Sequence, residues 1–271
     1  TAAKFKVALS ILSIVDSYND QSKIASMSNV VVLSGQLKLA ACGTYSVTGL
    51  DGLTYGTVLG EDGKCWFDRN LGATRVAASY ADQWAGYGSY YQWGRSYDGH
   101  QATTSTVSPF SGIVTTATAV SAPYTTYFVA TTTSPYNWLN QQNDNLWGDA
   151  SKTNNVCPAG WHIPTQTQWA TWTNAAGLTS GAGTGSNGTT LCSSGPGCLA
   201  AAYNTSLKLA SVGYRNRANG SFSSQGSNAL YWSSSPSGPN ASNLYFTSTS
   251  VTPAGANNRA SGFSARCVQD P

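Results

Sequence analysis

The stretch that decides the fold lies close to the end of the chain and reads Gly262-Phe263-Ser264-Ala265-Arg266-Cys267-Val268. Two aromatic stretches precede it, Tyr231-Trp232-Ser233-Ser234-Ser235 and Asn243-Leu244-Tyr245-Phe246, and an upstream stretch, Cys157-Pro158-Ala159-Gly160-Trp161-His162-Ile163-Pro164, contains another cysteine. A bulky ring in or beside a stretch that holds Gly, Pro or Cys is typical of a core position. The tryptophans predicted on this ground to fill the core are Trp66, Trp93, Trp161, Trp169 and Trp232.

The composition predicts a folded protein with a weakly charged surface. Hydrophobic residues make up 41% of the 271 residues, and nine Trp, fifteen Tyr and seven Phe supply bulky core material, so the long Ser/Thr/Gly stretches do not indicate a disordered chain. Charged residues are only 9%, against about 25% in ordinary soluble domains. The net charge is +3 without a basic run, which argues against nucleic acid as a partner.

The cysteines indicate an oxidising compartment. Six of them allow fifteen full pairings, and neither their spacing nor the two histidines fit a zinc site. An even number without a metal pattern favours disulfides. Cys42 and Cys65 bracket a predicted hairpin, and Cys192 and Cys198 enclose a Gly-Pro-Gly loop as a local staple.

Localisation is predicted to be extracellular or at the cell surface. No run of about twenty apolar residues is present, so no membrane span is expected in the mature chain. The sequence begins at Thr1 rather than Met, as expected if a leader has been removed.

Residues 1–41 are predicted to form an N-terminal, β-rich extension to the domain at 42–271. Phe5, Val7, Leu9 and Ile11 alternate with smaller or polar residues, a period typical of a strand with one buried face. Two interpretations stay open at this point. The segment is either a strand pair within one domain, or an assembly segment that adds to the sheet edge of a neighbouring subunit.

Local signals predict a hairpin and a helix within the larger domain. Asp62-Gly63 lies between two alternating runs and is a strong turn signal. Thr165 can cap a helix that follows Pro164, with Gln168 at the capping-box position and Gly177 at its end. Residues 102–135 are predicted to be a long loop with some strand character around residues 127–129.

Five signatures occur in one order along the chain. They are Gly63 to Gly72, Tyr90 to Gln101, Asn143 to Trp147, Cys157 to Pro164, and Tyr231 to Val268. Together, over about residues 42–270, they resemble the Fibrobacter succinogenes major paralogous domain, a C-type-lectin-like family near the formylglycine-generating-enzyme branch. The resemblance implies an α+β fold with a small twisted antiparallel sheet, few helices and long loops. It also implies a bridge between Cys157 and Cys267.

Residues 236–259 are the predicted ligand contact, because small polar side chains with an occasional Tyr or Arg can bond many partners. An ordinary solvated loop is the alternative. The predicted ligand-binding residues are Asn240, Ser242, Asn243, Tyr245, Thr247, Asn257, Asn258 and Arg259. Tyr87, Tyr90 and Tyr91 suit either a contact surface or the core.

The predicted function is an extracellular, surface-displayed ligand-binding or adhesion protein, whose partner is a protein or glycan on another surface. The alternative is a structural subunit of an extracellular filament, self-associating through residues 1–40. No cofactor is predicted. Calcium needs several converging acids, and the nearest oxygen cluster is Asn143, Asp144, Asn145 and Asp149.

No catalysis is predicted. The oxidase relatives of the resembled fold need a reactive cysteine pair, and such a thiol requires nearby cations that lower its pKa. Here every cysteine has a plausible structural partner, and no Ser/His/Asp set or carboxylate pair stands out. His100 and His162 lie within signatures and are predicted to be structural.

Overall fold

Short antiparallel strands dominate the computed structural model, which describes residues 41–109, 111, 113–147, 153–180, 189–190, 192 and 197–271. The strands are β1 (Ser46–Thr48), β2 (Thr54–Leu59), β3 (Cys65–Phe67), β4 (Tyr91–Gln92), β5 (Trp161–His162), β6 (Thr179–Ser180), β7 (Thr189–Thr190), β8 (Tyr214–Arg215), β9 (Phe222–Ser223), β10 (Ala229–Ser237), β11 (Asn240–Phe246), β12 (Val251–Asn258), β13 (Gly262–Phe263) and β14 (Val268–Gln269). The helices are a 3-10 helix (Tyr80–Gly86), α1 (Gln166–Ala175) and α2 (Gly197–Tyr203). This content confirms the α+β class.

The largest sheet has the strand order β1-β2-β3-β14-β5, and all its neighbours are antiparallel. The predicted hairpin forms β2 and β3, with Gly63 at φ +74° in the turn, a conformation that glycine adopts without steric cost. Val268 in β14 pairs with both Trp66 and His162. The last strand therefore joins the first hairpin to the segment ahead of α1.

A three-stranded meander, β10-β11-β12, packs against α1. The predicted capping box is present: Thr165 Oγ1 accepts from Gln168 N at 3.1 Å, and Gln168 Oε1 accepts from Thr165 N at 2.7 Å. On the helix, Trp169 and Trp172 are fully buried. A third sheet, in the order β4-β13-β8-β9, and the pair β6-β7 complete the strand set described.

Residues 236–259 correct the sequence prediction, which placed polar loops around a short strand at 244–246. The meander strands β11 and β12 instead run through most of this region. Polar side chains pair across them, with Asn258 Nδ2 donating to Asn240 Oδ1 at 3.0 Å and Asn257 Nδ2 to Asn243 Oδ1 at 3.0 Å. These asparagine pairs therefore connect neighbouring strands, and the region is a paired sheet and not a solvated loop.

The three disulfides join the predicted pairs, Cys42–Cys65, Cys157–Cys267 and Cys192–Cys198. The bridge between Cys157 and Cys267 closes 110 residues, which is worth about 4–5 kcal/mol in the chain-entropy model. It fixes the segment before β5 to the segment before β14. Disulfides of this number fit a protein from an oxidising compartment.

Buried arginines hold the loops between these sheets. The guanidinium of Arg266, 1% exposed, donates to the carbonyls of Phe67 at 2.9 Å and Leu207 at 3.0 Å and twice to Asn70 Oδ1. Arg215, 2% exposed, donates to the carbonyls of Gly220, at 2.9 Å, and Ser105, at 2.7 Å. Burial lowers the pKa of Arg266 to about 10, so the group stays charged at neutral pH.

Some predicted features fall outside the described residues. The N-terminal extension at 1–41 does so apart from Ala41, and so does Asp149 of the oxygen cluster. Within the described part of residues 102–135 the strand character is limited to two isolated bridges, Val107 with Phe128, at the expected place, and Thr115 with Val120. No helix in the described ranges is long and apolar enough to cross a membrane.

Replacing Arg266 is expected to destabilise the fold strongly. R266A leaves buried carbonyls without donors, so the free energy of unfolding should fall by about 3 kcal/mol or more. R266K keeps the charge but not the planar set of donors, and its loss should be intermediate. The control K208Q, at an exposed lysine, should change stability by less than about 0.5 kcal/mol. Equal denaturant midpoints for R266A and K208Q would contradict this role.

Candidate functional site

The structure divides the predicted contact residues into buried and partly accessible sets. The buried ones are Ser242, Asn243 and Arg259. The partly accessible ones are Asn240, Tyr245, Thr247, Asn257 and Asn258.

Arg259 corrects the prediction, because its guanidinium is enclosed by the protein. It is 1% exposed, lies 4.4 Å from the centroid of the Trp93 ring, and donates to the carbonyls of Asn143, at 3.0 Å, and Gly238, at 2.9 Å. It also pairs with Asp144 Oδ1 at 2.5 Å, and this pairing lowers the pKa of the Asp144 carboxyl against the opposing effect of burial. The arginine thus occupies part of the cluster considered for calcium. The described residues contain no group of three or more His, Cys, Asp or Glu able to hold a metal.

Ser242 and Asn243 also serve the interior. Ser242 Oγ donates to Gln166 Oε1 at 3.0 Å and so attaches β11 to the start of α1. The amide oxygen of Asn243 accepts from Asn257, whereas its buried Nδ2 has no partner among the described residues. Thr247 Oγ1 accepts from Ser250 N at 3.0 Å and closes the turn between β11 and β12.

Asn257 and Asn258 are different, because they line a groove with a volume of about 340 Å³. We call it the Arg217 groove. Its other lining residues are Tyr214, Asn216, Arg217, Ala218, Leu230, Ser261 and Phe263. They come from β8 and its following turn, from β10, and from β13 with the turn before it. Because β8 and β13 belong to one sheet and β10 to the meander with β12, two sheets meet at the groove.

The floor of the groove is rigid and aromatic. The Phe263 ring stacks on the buried Trp232 with centroids 4.1 Å apart, and Tyr214 contacts Phe263 edge-on at 6.4 Å. Leu230 lies opposite Tyr245 in the strand register. Tyr245 is half-buried and packs against the hydrophobic cluster that contains Leu230, Trp232 and Phe263. It is therefore close to the groove but is not one of its lining residues.

Arg217 gives the groove its charge. Its Nε donates to Asn258 Oδ1 at 2.9 Å and its Nη1 to the Thr131 carbonyl at 3.1 Å, while its guanidinium lies 3.7 Å from the Tyr136 ring centroid. In the described part of the chain, no carboxylate pairs with it and no acceptor bonds its Nη2. A fixed cation with free donors therefore faces the groove.

Tyr136 holds this cation at a conformational cost. Its φ is +58°, a left-handed conformation that non-glycine residues rarely adopt and that costs on the order of 1 kcal/mol. The Tyr136 carbonyl accepts from Ala260 N at 3.1 Å, which keeps the residue in place. Neither Arg217 nor Tyr136 was a sequence candidate. Both lie in short polar stretches, and only the fold brings them together.

The two histidines have their ring nitrogens engaged. His100 Nε2 accepts from Gln92 N at 3.0 Å, and Nδ1 bonds Asp98 Oδ1 at 2.5 Å. Burial and the neighbouring Arg95 charge lower the pKa of His100 to about 4, although Asp98 favours the charged form. His162 lies between Asp270 and Gln168. Both rings thus hold structure, and neither presents a free base.

Stability is expected to fall in mild acid because of His100. The unfolded histidine takes up a proton below pH about 6.5, whereas the folded one resists until about 4. The contribution of His100 to the free energy of unfolding is therefore fully present above about pH 6.5. It decreases by up to ~3 kcal/mol as the pH falls to about 4. The free energy of unfolding, measured by denaturation at a series of pH values between about 4 and 7, should depend less steeply on pH in H100Q, because glutamine cannot titrate. Identical slopes would contradict the assignment.

The fold and groove can be compared with known proteins. The family model described as the Fibrobacter succinogenes major domain matches residues 51–269, which include the Arg217 groove and α1. Neither the comparison with curated proteins nor the comparison with solved structures finds a match. The family match spans well over half of the chain. The chain therefore belongs to the Fibrobacter succinogenes major domain family.

Proposed function

We propose that this chain is an extracellular, surface-displayed ligand-binding or adhesion protein. We further propose that its fold is C-type-lectin-like, of the formylglycine-generating-enzyme-like branch. Support for that fold comes from the β14 strand, which pairs between the first hairpin and β5, and from the Cys157–Cys267 bridge beside it. This arrangement leaves long loops that rest on small sheets.

The observation that carries the function is the Arg217 groove. Pockets for small or extended ligands are usually concave, with apolar walls and a few fixed polar groups, and have volumes of roughly 300–1,000 Å³. The groove, at about 340 Å³, combines the Phe263 floor with the Arg217 guanidinium and the Asn257 amide. These side chains are fixed before any ligand arrives, which reduces the entropic cost of binding.

The available donors favour a ligand that carries a carboxylate. Arg217 has a planar set of donors that matches a carboxylate with two parallel bonds. Asn216 adds a side-chain amide at the rim, and its oxygen is already engaged by Ala218 N at 2.7 Å. An acidic side chain of a protein and an acidic sugar of a glycan both supply this chemistry. The cysteines are all in disulfides, so none of them is a free thiol of the kind that a cysteine-dependent reaction requires.

The variant R217Q removes the Arg217 charge and is expected to weaken binding by about tenfold, or ~1.4 kcal/mol. The probes are immobilised sialylated and uronic-acid glycans and Asp/Glu-containing peptides, and the readout is the dissociation constant by biolayer interferometry. R217K should bind with intermediate strength, because lysine keeps the positive charge but lacks the planar donors that can bond both oxygens of a carboxylate. The constant should also rise with salt, since the contact is ionic.

The control is K208Q, which removes one positive charge from an exposed site outside the groove. It should leave the dissociation constant unchanged. Equal weakening by R217Q and K208Q would mean that net charge alone governs binding. If no acidic probe binds, the proposal that the ligand carries a carboxylate is wrong.

A further inference from the structure

The 3-10 helix Tyr80–Gly86 presents an exposed tryptophan on an anchored backbone. Trp84 is 65% exposed, whereas on the same helix Gln83 is buried and its Oε1 accepts from Ser211 N at 2.7 Å. Gly86 is buried on the other side of the turn, and its carbonyl accepts from Asn70 Nδ2 at 2.7 Å. Tryptophan is enriched among the residues that contribute most of the binding energy at contact surfaces.

The indole is held in a defined orientation by a neighbouring ion pair. The Arg75 guanidinium lies 5.6 Å from the Trp84 ring centroid and donates to both oxygens of Asp82, at 2.5 and 2.8 Å. Asp82 Oδ2 also accepts from Ala78 N at 2.9 Å. The cation on one side of the ring is thus fixed by a carboxylate that is itself fixed to the backbone.

A groove of about 450 Å³ runs beside this ring. Hydroxyl and amide groups form its edge, and they come from four separate segments. Residues with hydrogen-bonding side chains in its lining are Thr74, Arg75, Tyr87, Tyr90, Thr103 and Gln225. Gln225 Nε2 donates to Tyr90 Oη at 2.8 Å, which fixes the amide at one wall.

The charges in this groove cancel, which separates it from the Arg217 groove. The lining residues carry a single charged group, Arg75, and that group is neutralised by Asp82. A ligand here needs an apolar face to cover the indole and an edge of hydroxyl groups to bond Thr74, Thr103 and Gln225. It needs no charge.

A hexose ring has both properties, because its axial C–H bonds form an apolar face and its hydroxyls lie around the edge. We propose that the groove beside Trp84 binds a hexose of a neutral glycan, with the sugar ring stacked on the indole. This site is separate from the Arg217 groove, and its occupation does not depend on the function proposed for that groove. A protein partner is the competing occupant, and glycan binding by the purified chain distinguishes the two.

The test uses the full chain on an array of neutral and acidic glycans, followed by titration with methyl glycosides of glucose, galactose, mannose and N-acetylglucosamine. W84A is expected to weaken binding of neutral glycans by about tenfold or more. W84F keeps a ring and should lose less. The matched control is Y97A, which removes an aromatic ring that is 41% exposed and does not line the groove.

A direct readout is fluorine NMR of the chain labelled with 5-fluorotryptophan. The resonance that disappears in W84F should shift on titration with the bound glycoside, and raising the salt concentration should leave the dissociation constant within about twofold. Because Trp84 is exposed, the melting temperature of W84A should stay close to that of the parent chain, so a binding loss is not a folding loss.

Several results would overturn the proposal. One is the absence of neutral glycan binding, and another is binding that W84A leaves intact. A third is binding confined to acidic glycans that R217Q removes, which would support the Arg217 groove alone. A fourth is binding of a protein, lost in W84A, in the absence of any glycan binding. That result would assign the surface to protein docking instead.

Discussion

Buried arginines that donate to backbone carbonyls are the constraint on which this structure depends. The strands are short and the connections long, so many carbonyls lie in the interior without a partner from a sheet or a helix. An unpaired buried carbonyl is costly, and arginine offers five donors from one side chain. Of the seven arginines in the chain, five are buried. These are Arg69, Arg95, Arg215, Arg259 and Arg266.

This constraint explains why a protein with only 9% charged residues places cations inside. Each guanidinium connects segments that are distant in sequence: Arg266 bonds Phe67 and Leu207, and Arg259 bonds Asn143 and Gly238. The long connections are thus attached to the interior at particular carbonyls, as Arg95 does for Thr125 and Tyr127. Parts of both grooves are held in this way: Arg69 donates to the carbonyl of Ala73 in the lining of the groove beside Trp84, and Arg215 donates to the carbonyl of Gly220 at the end of the turn that contains Arg217.

The sequence predicted the parts of the fold that local signals control. The turn at Asp62-Gly63, the capping box at Thr165 and the buried tryptophans depend on neighbouring residues or on bulk, and the structure confirms them. The meander could not be predicted in the same way. In β11 and β12, Asn, Ser, Thr and Gly resemble a solvated loop, and only pairing with β10 shows that they form strands.

The arginines of the candidate site also differ in ways that local sequence does not show. Polarity alone cannot distinguish Arg259, which is buried over Trp93, from Arg217, which faces a groove. For Arg217 the exposed position arises after β8, where Gly220 N bonds the Asn216 carbonyl at 2.7 Å and turns the chain. Arg215 precedes this turn and points into the interior. Arg217 lies within this turn and contacts Tyr136, a residue 81 positions away whose carbonyl accepts from Ala260 N. The role in recognition proposed for Arg217 therefore depends on this turn, which places it at a groove, whereas Arg215 and Arg259 donate to carbonyls of the interior.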